Sequence, residues 1–234
     1  MVSFGLITEG ITDQIVIESV MYGFYNSRDL DLIPLQPLRD ASNENKATSP
    51  GNWHKVIEYC GSEKLEMALR QENYYLIIQL DTDVLLTENV PKEFQLNLKN
   101  EKGEDLNIDE IVSRVKNLLI SRMPEGVYEL YQTKIIFAIT VHSIECWLLP
   151  LYYKNNKKAK LENALDTLNK ALQKSEGFSI DPNNKDPEYY RLISKKYWKH
   201  KEFIRLYQAN PSLKIFIEEL QSRNIPMDKD EDDW

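Results

Sequence analysis

The chain has 234 residues and a formal net charge of -8, and 42% of its residues are hydrophobic. This length fits one sizeable α/β domain, with or without a helical appendage, and excludes a large array of domains, because single cores rarely grow beyond about 250 residues. No apolar run approaches the roughly 20 residues that cross a bilayer, and Glu9 interrupts an N-terminus that is unlike a signal peptide. We therefore expect a cytoplasmic protein that does not enter a membrane.

Charge is distributed unevenly along the chain. Residues 1–153 contain 13 basic and 23 acidic side chains, whereas residues 154–205 contain 13 basic and 7 acidic ones. A carboxylate-rich first part suits cation binding, and a basic region behind it suits contact with phosphates. We therefore expect a catalytic domain at 1–153, a basic helical subdomain at 154–227 and a disordered acidic tail at 228–234.

Strand and helix signals alternate along the first 150 residues. Continuous apolar or β-branched runs predict strands, and apolar residues at helical spacing predict the helices between them. The predicted strands are residues 3–8, 32–38, 74–80 and 134–140. The predicted helices are residues 13–25, 53–60, 62–71, 108–123 and 142–149. Two prolines make 32–38 an edge strand or an extended segment, and the polar stretches 40–51 and 87–107 predict surface loops.

This alternation predicts an α/β fold with a mostly parallel sheet and helices on both faces. In the rest of the chain no segment resembles a strand. We expect helices over 159–174, 187–208 and 211–223, which would form a C-terminal helical subdomain. In the first helix of the chain, Thr12 is placed as the N-cap and Asp13 in the first turn, where its charge favours the helix dipole.

Acidic side chains follow three of the predicted strands. Glu9 comes directly after the first strand. Asp81 and Asp83 follow the third strand, and Glu145 lies within a turn of the end of the last one. In an open parallel sheet these strand ends converge on one crevice, where carboxylates repel each other unless a cation neutralises them. Hard oxygen ligands favour Mg²⁺ or Mn²⁺ over Zn²⁺, so the spacing predicts a site for one of these ions.

Each acidic residue also has a purely structural interpretation. An Asp-x-Asp sequence alone is equally typical of a solvated loop. Asp13 can be a helix-start residue or a ligand, and His142 suits a helix cap or a residue that supports a ligand. Glu145 can bind a metal or can pair with a lysine inside the fold. The combination of Glu9-Gly10 after the first strand with Asp81-Thr82-Asp83 after a later one is more specific for a functional site than any single residue.

Two short motifs resemble those of Toprim domains, namely Glu9-Gly10-Ile11-Thr12-Asp13 after the opening strand and Leu80-Asp81-Thr82-Asp83 after a later one. The resemblance covers about residues 1–150, and the first motif is closer to the OLD-type nuclease branch than to the primase branch. It implies a Toprim-like, Rossmann-like fold in which Glu9 lies near the scissile phosphate or binds metal, and Asp81 and Asp83 coordinate Mg²⁺. The further candidates are Glu145 as a metal ligand, with Gly10, Asp13 and His142 in secondary roles.

The segment His142–Leu149 resembles one in small stand-alone Toprim-like proteins of bacterial anti-phage defence systems, some of which are encoded beside an ATPase. The two resemblances together imply a nuclease that cleaves phosphodiester bonds of DNA or RNA as the effector of such a system. A partner ATPase and a homo-oligomer are further candidates. The sequence contains no Gly-x-x-x-x-Gly-Lys-Ser/Thr motif, so ATP would have to bind to another chain.

Basic and aromatic residues are interleaved in the predicted helix at 187–208. This mixture can hold a phosphate backbone and stack on bases, although an ordinary amphipathic helix looks similar. The candidates for nucleic-acid binding are Lys195, Lys196, Lys199, Lys201 and Arg205. The interleaved rings are Tyr190, Tyr197, Trp198, His200 and Phe203. A lysine of this region, or Lys55, could also stabilise charge during catalysis.

Two other classes of protein stay open. A non-catalytic Toprim-like subunit that regulates or binds a partner would keep the same motifs and would bind metal without turnover. A haloacid-dehalogenase-type phosphotransferase also has Asp-x-Asp after a strand, but there the pair follows the first strand. In this sequence Glu9-Gly10 holds that place, which disfavours the phosphotransferase.

Overall fold

The computed structural model describes residues 2–40, 42–47, 52–88 and 90–227. The strands are β1 (Ser3–Ile7), β2 (Asp31–Gln36), β3 (Arg39–Asp40), β4 (Asn43–Ala47), β5 (Tyr74–Asp81) and β6 (Ile135–Thr140). The α-helices are α1 (Ile11–Tyr25), α2 (Trp53–Cys60), α3 (Glu63–Leu69), α4 (Ile108–Ile120), α5 (Val127–Tyr131), α6 (Glu145–Leu148), α7 (Ala164–Ser175), α8 (Pro187–Ser194), α9 (His200–Leu206) and α10 (Pro211–Ser222).

Four parallel strands form the main sheet, in the order β2-β1-β5-β6. The predicted α/β fold with a parallel sheet is confirmed, and β2 lies at the edge, where its proline removes no hydrogen bond from a central ladder. β5 and β6 pair as far as Asp81 opposite Thr140. Because all four strands run in the same direction, their carboxyl ends open on one side of the sheet.

Successive side chains of β5 enter two hydrophobic clusters on opposite faces of the sheet. Leu76 and Ile78 pack in a cluster with residues of α2 to α5. Ile77, between them, packs in the other cluster, with residues of α1 and of α6 to α10. This period of two is the geometry of a strand that is covered on both faces, and it explains why the successive residues 74–78 of β5 are all apolar or aromatic.

Helix α1 is buried on almost every side. It packs against α8 and α9 as well as against the sheet cluster. Its polar residues are paired inside the protein: Ser19 Oγ and Ser194 Oγ are 2.8 Å apart, and Arg39 forms an ion pair of 2.8 Å with Glu18. One hydrophobic cluster therefore contains residues from both predicted segments, 1–153 and 154–227.

Several predicted boundaries are corrected near the start of the chain. Helix α1 begins at Ile11 with Gly10 as its N-cap, so Thr12 lies inside the first turn and is not the cap. Asp13 does lie in the first turn, as predicted. The stretch 40–51, predicted as a loop, contains β4, which pairs antiparallel with β3. Backbone hydrogen bonds form this hairpin without the apolar pattern that would signal a strand.

The later helices also differ from prediction. The helix predicted at 142–149 begins at Glu145, because His142 adopts a left-handed backbone with φ of 67°. The single helix predicted at 187–208 is divided into α8, a 3-10 turn at 195–198 and α9. Lys199 has extended backbone angles (φ -81°, ψ 99°), which separate the two helices. Helix α5 follows a glycine turn and was not predicted.

No helix in the described part of the chain is long and apolar enough to cross a membrane. The predicted acidic tail, 228–234, lies outside the described residues.

Gly23 marks the closest approach of α1 to the C-terminal helices. A Cβ atom at this position would meet the Tyr197 carbonyl oxygen far inside van der Waals contact and the Phe203 ring at 2.9 Å. We expect Gly23→Ala to lower the free energy of unfolding by about 1–3 kcal/mol, because the backbone of Tyr197 has to move to make room for the added methyl group. This cost outweighs the higher helix propensity of alanine. Denaturant unfolding measures the change. Lys201→Ala changes an exposed position on α9 and is the control. Its free energy of unfolding should stay within about 0.5 kcal/mol of wild type. A Gly23→Ala protein as stable as wild type would contradict the close packing of α1 against Tyr197 and Phe203.

Candidate active site

The carboxyl ends of β1 and β5 are joined through their acidic residues. Glu9 Oε1 accepts a hydrogen bond of 2.6 Å from the Asp81 backbone N–H. The Glu9 backbone N–H donates to Gln79 Oε1 at 3.2 Å, and Gln79 Nε2 donates to Asp81 Oδ1 at 2.7 Å. Gln79 is fully buried, so one amide group fixes both strand ends. The two motifs predicted from the sequence therefore meet in the structure.

The segment after β6 completes the arrangement. Thr82, between the two aspartates, accepts a hydrogen bond of 2.8 Å at Oγ1 from the His142 backbone N–H. The Ile144 backbone N–H lies 3.3 Å from Asp81 Oδ2 and donates to it. The left-handed backbone of His142 turns the chain between these contacts. Glu145, the first residue of α6, thereby reaches the same crevice as Asp81.

Five carboxylates influence one another in this crevice, namely those of Glu9, Asp13, Asp81, Asp83 and Glu145. Burial raises the pKa of Glu9 to about 8, and the charges of Asp13 and Asp83 add to the shift. Burial likewise raises the pKa of Asp13 to about 7. For Asp81, burial followed by repulsion from Asp13 and Glu9 holds the pKa well above its ordinary value. The pKa of Asp83 is raised as well, mainly by burial, so the cluster retains protons that isolated carboxylates would lose.

Glu145 differs from the other four acids because a lysine faces it. Lys185 Nζ lies 2.7 Å from Glu145 Oε1, and the Tyr190 hydroxyl donates a short hydrogen bond to the same oxygen. Burial alone would raise the pKa of Glu145, but the charge and hydrogen bonds of Lys185 outweigh it and lower the pKa. The pKa of Lys185 is raised by the same pairing despite its own burial. The sequence left open whether Glu145 binds metal or pairs with a lysine, and the structure shows the lysine pair.

A cavity of about 420 Å³ gives access to the cluster. Asp83, His142, Glu145 and Lys185 line it, together with residues of the segment 161–166. Asp13 and Asp81 lie behind these residues and are almost completely buried. A ligand that enters the cavity therefore meets both the carboxylates and the ammonium group of Lys185.

The structure places two of the secondary candidates, Gly10 and His142, at the edge of the cluster, whereas the third, Asp13, belongs to the cluster itself. Gly10 caps α1, and a Cβ atom there would lie 3.1 Å from Asp13 Oδ2. Glycine therefore lets the start of the helix approach this carboxylate. His142 is not the helix cap, since Ile144 holds that position. His142 lines the cavity, and its charge lowers the pKa of Asp83.

Lys185 and Tyr190 were not predicted as site residues. Lys185 precedes the Asp186 N-cap of α8, a position that carries no chemical motif. Tyr190 was one of the interleaved rings considered for base stacking; it is fully buried, and its hydroxyl donates a hydrogen bond to Glu145. Lys55, which was considered as a charge stabiliser, forms an ion pair of 2.6 Å with Glu58 on α2.

The five basic candidates lie on the C-terminal helical region. Four of them, Lys195, Lys199, Lys201 and Arg205, are exposed. Lys196 binds Glu176 at 2.6 Å and Arg205 pairs with Glu202. The sequence left open whether the interleaved rings stack on bases or belong to an ordinary amphipathic helix. Three of the rings are buried in the hydrophobic core and are not available for stacking: Tyr190, Tyr197 and Phe203.

The carboxylate oxygens of the cluster are the type of ligand that a hard divalent cation prefers. Among the described residues, no group of three or more His, Cys, Asp or Glu side chains is arranged to hold a metal ion as it stands. The oxygens of Glu9 and Asp81 accept hydrogen bonds from protein donors, and Glu145 is held by Lys185. Four carboxylates with raised pKa values nevertheless share one crevice, and a cation there would relieve their repulsion. The residues therefore fit Mg²⁺ or Mn²⁺ in charge and donor type, while coordination requires their side chains to reorient.

Comparisons with protein-family models, with curated proteins and with solved structures found no match to this chain. Its function therefore has to be inferred from the motifs and from the geometry of the carboxylate cluster.

We expect the free energy of unfolding of the metal-free protein to fall as the pH rises from about 5 to about 9. The pKa values of Glu9 (about 8) and Asp13 (about 7) in the folded state exceed their ordinary values of 4.5 and 3.8. The folded state therefore binds more protons than the unfolded chain in this interval, so stability is lost as the pH rises through the folded pKa values.

Denaturant unfolding in EDTA at several pH values tests this expectation. Asp13→Asn should flatten the pH dependence, because it removes one of the buried titrating groups. Glu101→Gln alters an exposed acid outside the cluster and should leave the profile unchanged. A profile for Asp13→Asn as steep as that of wild type would show that Asp13 does not titrate in this way.

Proposed function

We propose that the chain is a Mg²⁺-dependent phosphodiesterase of the Toprim type that cleaves nucleic acid. The convergence of five carboxylates, from the ends of β1 and β5 and the starts of α1 and α6, beside an open cavity carries this proposal. Buried like charges lower the stability of a fold, and strongly shifted pKa values in a cleft are typical of functional sites. Mn²⁺ is the expected substitute for Mg²⁺.

Glu9, Asp81 and Asp83 would hold the cation, and Glu145 is the further candidate. A bound divalent cation would polarise a phosphodiester oxygen and lower the pKa of a bound water. Gln79 orients the site, since it contacts both Glu9 and Asp81 from a fully buried position. Its role is to keep the two strand ends at a constant separation.

Lys185 would contribute positive charge toward the substrate. Its ammonium group faces the cavity, and its side chain is 35% exposed even though it pairs with Glu145. A phosphodiester that enters the cavity would meet this charge, which favours the extra negative charge that develops on phosphate oxygens during cleavage. Glu145 and Tyr190 would position Lys185 through the contacts described above.

DNA and RNA are both candidate substrates, because the cluster recognises a phosphodiester and no base-reading group is evident at it. A role as the effector of an anti-phage system, controlled by a partner ATPase, follows from the resemblance at 142–149 and is part of the same proposal. A phosphotransferase of the haloacid-dehalogenase type is less favoured, since Glu9 rather than an Asp-x-Asp pair follows β1.

A non-catalytic Toprim-like subunit is the second candidate. The pairing of Glu145 with Lys185 favours it, because this ion pair neutralises part of the cluster without a metal. Such a subunit would bind Mg²⁺ and a partner protein but would not cleave nucleic acid under any condition.

Asp81→Asn, Asp83→Asn and Glu9→Gln should each reduce cleavage at least about 100-fold, more than is usual for residues that only support a metal ligand. Each change removes a negative charge from a repelling cluster, so the melting temperature in EDTA should hold or rise. The assay incubates protein with plasmid DNA and total RNA in Mg²⁺ or Mn²⁺, with and without its genomic-neighbour protein. Glu101→Gln is the matched control, and wild-type cleavage by any of the three cluster variants would remove that residue from the site.

Glu145→Gln should have a graded effect, about 10–100-fold on the cleavage rate, because it loosens Lys185 without deleting one of the three main carboxylates. Tyr190→Phe removes a single hydrogen bond to Glu145 and keeps the buried ring, so its effect should be smaller. Cleavage rates and melting temperatures of the two variants measure this order. A loss in Glu145→Gln as complete as that in Asp81→Asn would instead make Glu145 a direct ligand.

A further inference from the structure

The C-terminal helical region carries a concave surface that shares no lining residue with the carboxylate cavity. A cavity of about 620 Å³ lies between the segment 150–158 and the region of α9. Five basic side chains line it, against the single acid Glu202. These basic residues are Lys154, Lys158, Lys196, Lys199 and Arg205.

A second cavity of about 450 Å³ adjoins the first, because Lys199 lines both. Its wall also contains Arg28, Lys195 and Trp198, and no acidic residue. The two cavities, which share the Lys199 side chain in their walls, are together called the basic groove here. Its extent exceeds what one small anion would occupy, so an extended polyanion fits it better.

Four lysines of the basic groove keep their charge available for a ligand. Lys154, Lys158, Lys195 and Lys199 have no side-chain ion pair in the part of the chain that the structure describes. Lys196, in contrast, is bound to Glu176 at 2.6 Å. Unpaired lysines along one concave surface repel each other, and a ligand with regularly spaced phosphates would relieve that repulsion.

Aromatic side chains complete both halves of the groove. Tyr152 and Tyr153 line the first cavity, and Tyr22 and Trp198 line the second. Arg28 lies over the Trp198 ring, with its guanidinium carbon 5.5 Å from the ring centroid. Lys196 and Lys157 lie over the Tyr152 and Tyr153 rings in the same way, with Nζ 4.0 Å and 5.3 Å from the ring centroids. Aromatic rings beside basic side chains are typical of surfaces that follow a sugar–phosphate backbone and contact unstacked bases.

We infer that the basic groove binds a single strand of the nucleic acid on which the carboxylate cluster acts. The inference rests on the proposed function for its substrate, but binding in the groove requires no metal and no cleavage. A single strand is favoured over a duplex because its bases are free to contact the aromatic walls of a concave surface. The groove would hold the strand while the carboxylate cavity receives the scissile phosphate.

Binding is measured by fluorescence anisotropy in EDTA with Asp81→Asn protein, so that cleavage cannot interfere. The probes are labelled oligo-dT and oligo-U of equal length, titrated at several salt concentrations. The test variant replaces Lys154, Lys158 and Lys199 together by glutamine. It should bind at least about tenfold more weakly. The negative slope of log affinity against log salt concentration should become shallower by about 2, because each lost phosphate contact reduces the magnitude of this slope by about 0.7.

A matched triple variant controls for net charge. Lys102, Lys170 and Lys174 are exposed lysines outside the basic groove, and their joint replacement by glutamine changes the net charge by the same amount. This control should keep the affinity and the salt slope of the parent. Equal affinities and slopes for the two triple variants would overturn the inference, as would tighter binding of a duplex of the same length.

The outcomes for the groove and for the nuclease are separable. If wild-type protein cleaves nucleic acid in Mg²⁺ while the two triple variants bind alike, the proposed function holds and the groove is rejected. If the groove variant alone loses binding but wild-type protein cleaves no substrate, the groove is supported and the nuclease is rejected.

Discussion

The hydrogen bond from the Asp81 backbone to the Glu9 carboxylate, 2.6 Å long, is the contact on which the site depends. It joins the ends of the two central strands, so that groups 72 residues apart in sequence act as one unit. Parallel pairing of β1 and β5 brings the strand ends together, and the buried amide of Gln79 keeps them in register. The resulting crevice concentrates negative charge in a place where water is scarce. This electrostatic cost is the physical reason to expect a cation there.

The sequence was sufficient to predict the features that depend on local pattern. The strands β1, β5 and β6 are predominantly apolar, and their parallel direction followed from the helices between them. Glu9, Asp81 and Asp83 could be recognised because a polar group directly after a buried strand has to lie at the sheet edge. For Asp13 the sequence predicted the first turn of the helix and left open a role as ligand, since its burial in the cluster depends on packing around α1.

Features that depend on contacts between distant segments could not be predicted in this way. Lys185 reaches Glu145 only because α8 packs against α1, and neither residue signals the other. The break at Lys199 interrupts a helical pattern without glycine or proline, so backbone propensity gave no sign of it. The same break turns lysines of one predicted helix onto different surfaces: Lys199 lines the basic groove, whereas Lys201 does not.

The burial of α1 on both sides also limits where the chain can be cut into stable fragments. Its outer face is covered by helices that follow residue 153, and the Ser19 hydroxyl is paired with Ser194. A fragment that ended at residue 153 would expose an apolar helix surface to water and would lose Lys185. Such a fragment would contain every Toprim-like motif and still be prone to aggregate. Recombination of residues 1–153 with other proteins would therefore have to carry the C-terminal helices along or replace their apolar surface.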